Sequence, residues 1–192
     1  MDELRQPGAV VRFGFSSKGA VAHSAAALLI VLASLLTSAC STSVFSARGP
    51  RPLSNAAASP EELIIRLIDG TSRDDVPAIK DLRITKDEFC QYVWPELPGS
   101  KVPNVSCDFA WDQATLKSLS GLTRLLDQHR GRKYEFISMR YPGAPETHES
   151  FVVHKAPTVS LRDEKGTVHE VRISGSILEM DGQFKLFSFV VE

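Results

Sequence analysis

The sequence lacks every short motif that would name a catalytic chemistry. It has no G-x-S-x-G nucleophile elbow, no G-x-x-x-x-G-K-[ST] phosphate loop and no G-x-G-x-x-G dinucleotide fingerprint. These absences argue against the enzyme classes that depend on such motifs. No residue is therefore predicted to be catalytic from a motif, and no cofactor is predicted.

Metal-ligand spacing is missing as well. Beyond residue 39 the chain has four histidines, none of them in an H-x-x-x-H or H-E-x-x-H arrangement: His129, His148, His154 and His169. A zinc site needs three or four ligands that converge on one point. The sequence gives no sign of such convergence, so no metal site is predicted.

Neither sign of charge is in excess. The chain has 22 basic and 23 acidic residues, a formal charge of -1 with neutral histidines. Removing the first 39 residues takes away two acids and three bases, which moves the balance to -2. Because broad nucleic-acid binding needs a basic face, no nucleic-acid partner is expected.

Long apolar runs are also scarce. The one run lies in residues 25–40, AAALLIVLASLLTSAC, and its uninterrupted part of about 12 residues is shorter than the roughly 20 that span a bilayer. Arg5, Arg12 and Lys18 precede it. A basic leader, a short apolar middle and a small-residue end are typical of a secretory signal.

The end of this run, Leu36, Thr37, Ser38, Ala39 and Cys40, resembles the lipobox of bacterial lipoproteins. The resemblance implies cleavage between Ala39 and Cys40, lipidation of the Cys40 sulfur and a chain anchored to the cell envelope by acyl groups. Ser41 stands where an aspartate would retain an enteric lipoprotein at the inner membrane, so the outer membrane is favoured. An uncleaved anchor over about residues 19–39 and a soluble secreted product are the alternatives.

The sequence then divides into three parts: residues 1–39 as signal peptide, 40–59 as lipidated cysteine and tether, and 60–192 as one domain. The tether is predicted because residues 41–59 are rich in Ser, Ala and Pro and show no periodicity. The last 133 residues suit a single domain with its own core.

Two cysteines remain once Cys40 is lipidated. In an oxidising compartment, an even pair predicts a disulfide between Cys90 and Cys107. The alternative is two buried free thiols. A nucleophilic Cys90 is a further option, which a disulfide would remove because the thiolate is the reactive form.

The pattern of the domain predicts an α+β fold, with helices first and antiparallel strands after them. Ser59, Pro60 and Glu62 mark one helix start, Thr85 and Glu88 another, and a long helix runs from residues 107–111 to about His129. Four segments read as strands from Lys133 onward, followed by a last strand: 133–141, 150–155, 158–162, 167–179 and 184–191. Asp181-Gly182 predicts a tight hairpin turn before the last strand.

This element order, with a bent sheet packed on a long helix, resembles the cone-shaped nuclear-transport-factor-like or SnoaL-like fold. In that family the cone is a ligand site, an enzyme pocket or a filled core. The resemblance implies that an enzyme would place an acid or a histidine inside the cone as proton carrier, for which the candidates are Asp108, Asp112, His154 and His169. The competing interpretation is that His154 and His169 are separate surface or edge histidines.

Two further groups of residues each allow a structural and a functional interpretation. Five aromatic residues surround the cysteine pair and predict either a core between helices or an exposed groove for a partner: Phe89, Tyr92, Trp94, Phe109 and Trp111. The basic run Arg130, Arg132 and Lys133 predicts a solvated helix exit, or a contact with anionic head groups.

Together these observations predict a membrane-tethered, non-catalytic envelope lipoprotein that binds a partner protein or a small apolar ligand. An enzyme with an Asp or His proton carrier in a cone-shaped pocket is the alternative. A purely structural domain is a third possibility.

Overall fold

The computed structural model of the chain describes residues 51–190. Its α-helices are α1 (Pro60–Ser72), α2 (Val76–Asp81), α3 (Lys86–Glu88) and α4 (Cys107–His129). A π-helical turn, Phe89–Val93, and two 3₁₀ turns, Trp94–Glu96 and Pro98–Lys101, connect α3 to α4. The strands are β1 (Tyr134–Arg140), β2 (Glu146–Thr147), β3 (Val152–His154), β4 (Thr158–Asp163), β5 (Val168–Val171), β6 (Ile177–Met180) and β7 (Gln183–Leu186). The predicted α+β class is confirmed.

Serine side chains cap the two longest helices. The Ser59 hydroxyl accepts a hydrogen bond from the Glu62 amide at the start of α1, and the Ser106 hydroxyl does the same for the Phe109 amide at the start of α4. Thr85 and Glu88 form the predicted reciprocal capping box. The helix that they open leaves the α-helical path after Glu88, so the predicted continuous helix is an α-turn followed by a π-turn.

The strands form two antiparallel sheets, where one curved sheet was expected. The first has the order β1-β4-β5 and the second the order β2-β3-β6-β7. The predicted strand 167–179 divides into β5 and β6 because residues 172–176 pass from one sheet to the other. Gly175 lies at this passage, where a Cβ atom would be 2.4 Å from the carbonyl oxygen of Ser188. This close approach leaves no room for a side chain at position 175.

The hairpin between β6 and β7 is confirmed. Asp181 and Gly182 form its turn with φ angles of 50° and 73°, the left-handed geometry that a two-residue hairpin turn needs. Four residue pairs, from Met180–Gln183 to Ile177–Leu186, form the ladder.

The second sheet separates two hydrophobic cores. Ile177 and Leu186 belong to the first core, together with the buried stripes of α1 and α4. Leu178 and Met180 belong to the second core, with Phe89, Val93 and Phe151. Alternation along each strand therefore sends successive side chains into different cores. The exception is Lys185, a fully buried cation on β7.

Residues 51–58 correct the predicted tether, which was drawn to Ser59. Ala57 pairs with Phe184 through two backbone hydrogen bonds of 2.9 Å, so this segment covers the outer edge of β7. Leu53 and Ala57 are buried. The segment showed no periodicity because it contributes only two fully packed apolar side chains and a single bridge, too few to form a pattern.

Candidate binding cleft

An open cleft of about 520 Å³ lies between α4 and two earlier segments of the chain, residues 54–55 and 80–85. We call it the Arg83 cleft. Its described lining residues are Ser54, Asn55, Lys80, Asp81, Arg83, Ile84, Thr85, Trp111, Thr115, Ser118, Leu119 and Phe189. Volumes of this order are typical of sites for small organic ligands.

A short extended segment carries Arg83 into the cleft. The Leu186 amide donates to the Leu82 carbonyl at 2.8 Å, and the Ile84 amide donates to the Leu186 carbonyl at 2.9 Å. Leu82 and Ile84 are buried on either side. Arg83 points toward α4, where its side chain contacts Thr115 and Trp111.

Two residues of α4 receive the Arg83 guanidinium. Trp111 and Thr115 are four positions apart and therefore share one face of the helix. The Arg83 Cζ lies 4.3 Å from the centroid of the Trp111 ring, a cation–π contact. Nη1 donates to the Thr115 hydroxyl at 3.1 Å, and Nε donates to the Phe187 carbonyl at 3.4 Å.

Arg83 keeps its positive charge in this position. Burial lowers its pKa to about 10, so the guanidinium is protonated at neutral pH. None of the ion pairs formed among residues 51–190 includes Arg83. Lys80 and Asp81 are exposed at the rim. The cleft therefore holds one inner cation whose protein partners are all neutral.

A buried ion pair fixes the opposite wall. Lys185 Nζ lies 3.0 Å from Glu88 Oε2 and donates to the Ser54 carbonyl at 2.7 Å. The Glu88 carboxylate also accepts hydrogen bonds from the amide and the hydroxyl of Ser54. Ser54 and Asn55, which line the cleft, are thereby held against the domain.

The four candidates for a proton carrier do not line this cleft. Asp108 pairs with Lys86 on the surface, and Asp112 is exposed. His154 on β3 lies 2.7 Å from a Glu179 oxygen, whereas His169 on β5 lies 2.8 Å from an Asp163 oxygen. The two histidines thus belong to different sheets and are not brought together.

The structure brings the two domain cysteines together. Cys90 in the π-turn and Cys107 at the start of α4 are bridged, with their Cα atoms 5.7 Å apart. The predicted disulfide geometry is therefore present. Ala39 and Cys40, the predicted cleavage and lipidation positions, lie outside the described residues.

The aromatic residues divide between the two interpretations. Phe89 is buried, and Tyr92, Trp94 and Trp111 pack at the edge of the second core, as the interpretation of a core between helices predicted. Phe109 is 57 % exposed, together with Leu116 and Leu119 further along α4. Within the basic run, Arg130 pairs with Asp74 and Lys133 pairs with Glu164, and all four side chains are exposed. This agrees with the interpretation of the run as the solvated end of a helix.

Sequence reasoning missed Arg83. In the sequence, Arg83 stands between two apolar residues, Leu82 and Ile84. That pattern indicates only that Arg83 faces away from the core, and it does not indicate what Arg83 faces. Trp111 was singled out as an aromatic, but its contact with a residue 28 positions earlier has no local signature.

Among residues 51–190, no three side chains of His, Cys, Asp or Glu converge as metal ligands would. In the same part of the chain, no helix is long and apolar enough to cross a bilayer. Comparisons of the chain with protein-family models, with curated proteins and with solved structures found no match.

Proposed function

We propose that the chain is a lipid-anchored protein of the cell envelope whose domain binds a small ligand without transforming it. The lipid anchor at Cys40 and the preference for the outer membrane rest on the lipobox-like end of the leader. The binding activity rests on one observation, the open Arg83 cleft with its mixed apolar and polar lining.

The composition of the lining supports a ligand with an apolar body. Ile84, Trp111, Leu119 and Phe189 supply apolar surface, and hydroxyl groups are interspersed among them. Leu119 is 43 % exposed although it lies in this concave site. Apolar walls with a few placed polar groups are typical of ligand sites.

The alternative function, an enzyme with an acid or histidine as proton carrier, gains no support from the cleft. Its lining contains no histidine, and its one carboxylate, Asp81, is at the exposed rim. The four candidate carriers lie elsewhere. Binding is therefore the function that this site supports best.

Blocking the cleft tests the proposal. The full chain is placed in lipid nanodiscs and titrated with 2-naphthalenemethanol, a neutral apolar probe, by calorimetry with empty nanodiscs as blank. We expect saturable binding that Leu119→Trp weakens tenfold or more, because the indole fills the cleft from its wall. Leu116→Trp is the matched control, since Leu116 is on the same helix but does not line the cleft.

The control variant should bind the probe as the wild type does. Absence of saturable binding to the wild type would overturn the proposal. Equal affinity of the Leu119→Trp and Leu116→Trp variants would overturn it as well.

A further inference from the structure

The Arg83 guanidinium is a cation without an anion. Its two hydrogen-bond acceptors, the Thr115 hydroxyl and the Phe187 carbonyl, are both neutral. Arg83 is partly buried. A charge that is partly withdrawn from water gains from an opposite charge beside it. A bound anion would supply this opposite charge, so the site favours an anionic ligand over a neutral one.

The guanidinium has hydrogen-bond capacity to spare. An arginine carries five N–H donors, and the protein acceptors named above use two of them. Nη2 makes no hydrogen bond to the described residues, and Nη1 makes one. The outer edge of the fork can therefore present parallel N–H groups to a carboxylate, the geometry of a bidentate contact.

The surroundings of Arg83 select against a free inorganic anion. Trp111 covers one side of the guanidinium, and Ile84, Leu119 and Phe189 line the cleft around it. These groups gain nothing from a small hydrated ion. They do gain from an apolar body attached to the anionic group, because burying apolar surface is favourable.

The charge count favours a monoanion. Arg83 is the one inner cation of the described lining, and Lys80 and Asp81 oppose each other at the rim. A dianionic phosphate ester would need a second inner cation or a cluster of amide donors. One planar guanidinium matches one planar carboxylate.

We propose that the Arg83 cleft binds small carboxylates that carry an apolar body, with Arg83 holding the carboxylate and the wall of Trp111 and Leu119 holding the body. This inference rests on the proposed binding function and specifies its ligand class. Arg83 is then the residue that determines specificity for the acid over the corresponding alcohol.

Two probes of the same shape test this inference. The full chain in nanodiscs is titrated with 2-naphthoate and with 2-naphthalenemethanol, which differ only in the anionic group. We expect the wild type to bind 2-naphthoate about tenfold more tightly, because hydrogen bonds to a charged group contribute that much. Arg83→Gln should remove this preference and leave affinity for the alcohol within about twofold.

Three further variants keep the result interpretable. Arg73→Gln is the matched control, because Arg73 is an exposed arginine that pairs with Asp69 outside the cleft, and it should retain the preference. Arg83→Lys keeps the charge but loses the planar fork, so part of the preference should survive. Thr115→Val leaves Arg83 in place without its hydroxyl partner and should reduce the preference, which covers the case in which Arg83→Gln fails to fold.

The experiment distinguishes failure of the carboxylate inference from failure of the proposed binding function. If both probes bind equally well to the wild type, or if Arg83→Gln folds and retains the preference, the carboxylate inference is overturned while the binding function stands. If neither probe binds the wild type, the binding function falls and the inference falls with it.

Discussion

Lys185 and Glu88 are the two buried charged residues among residues 51–190. Their side chains are 1 % and 8 % exposed and lie 3.0 Å apart. Burial alone would raise the pKa of Glu88, but hydrogen bonds from Thr85, Ser54 and Lys185 outweigh it and hold the pKa below the ordinary value of 4.5. The ion pair therefore stabilises the fold in the charged state and ties residues 51–58 to it.

We expect Glu88→Gln to lower the free energy of unfolding by about 3 kcal/mol at pH 7, because it leaves the Lys185 ammonium buried without its counter-charge. A folded-state pKa below the unfolded value means that the stabilisation is present above pH 4.5 and is lost as the pH falls through the folded value. The difference between variant and wild type should therefore shrink below pH 4.5. Urea unfolding at a series of pH values measures it.

Glu170→Gln is the matched control for this prediction. Glu170 also forms an ion pair, with Arg140 at 2.6 Å, but both side chains are more than half exposed. Exposed pairs contribute little to stability because water screens them. A loss as large in Glu170→Gln as in Glu88→Gln would contradict the role of burial.

The disulfide joins two elements that the chain itself connects only through turns. Cys90 lies in the π-turn and Cys107 is the first residue of α4, with the two 3₁₀ turns between them. Trp111, one turn further along α4, is 5.5 Å from the Phe89 ring, measured between centroids. The bridge therefore sets the position of the helix that forms one wall of the Arg83 cleft.

Removing the bridge should destabilise the domain. For a sequence separation of 17 residues, the chain-entropy estimate gives about 3 kcal/mol. We expect the Cys90→Ser/Cys107→Ser variant to lose this amount in urea unfolding, and wild type treated with reductant should lose a similar amount. Alkylation of both cysteines in the folded, unreduced protein would show instead that the thiols are free.

Local signals decide which elements the sequence could predict. α1 and the β6–β7 hairpin were predictable because Ser59 and Asp181-Gly182 lie at their boundaries and act within three residues. α4 was predictable because its leucines recur at helical spacing. The division of one predicted strand into β5 and β6 was not, because it depends on Gly175 meeting Ser188. The Arg83 cleft was not predictable for the same reason, since contacts across 28 and 32 residues hold the guanidinium.

The packed part of the chain reaches closer to the proposed anchor than composition indicated. Arg51 donates a backbone hydrogen bond to Asp181 at 3.1 Å, so the packed part of the chain already includes Arg51. Ten residues, 41–50, then separate it from Cys40. Covalent geometry limits their span to about 35 Å. If Cys40 is lipidated as proposed, a connecting segment of this length keeps the domain near the bilayer surface.

That placement depends on Cys40. We expect Cys40→Ala to abolish labelling by radioactive palmitate and to leave a precursor that keeps its first 39 residues, because the sulfur that accepts the diacylglyceryl group is gone. Ser41→Ala, which changes the next residue and leaves the sulfur, should be labelled and cleaved as the wild type is. Envelope fractionation with mass spectrometry of the amino terminus measures both. If the Cys40→Ala chain is cleaved and stays with the membrane, another segment anchors it, and the cleft would then have no fixed distance from the bilayer.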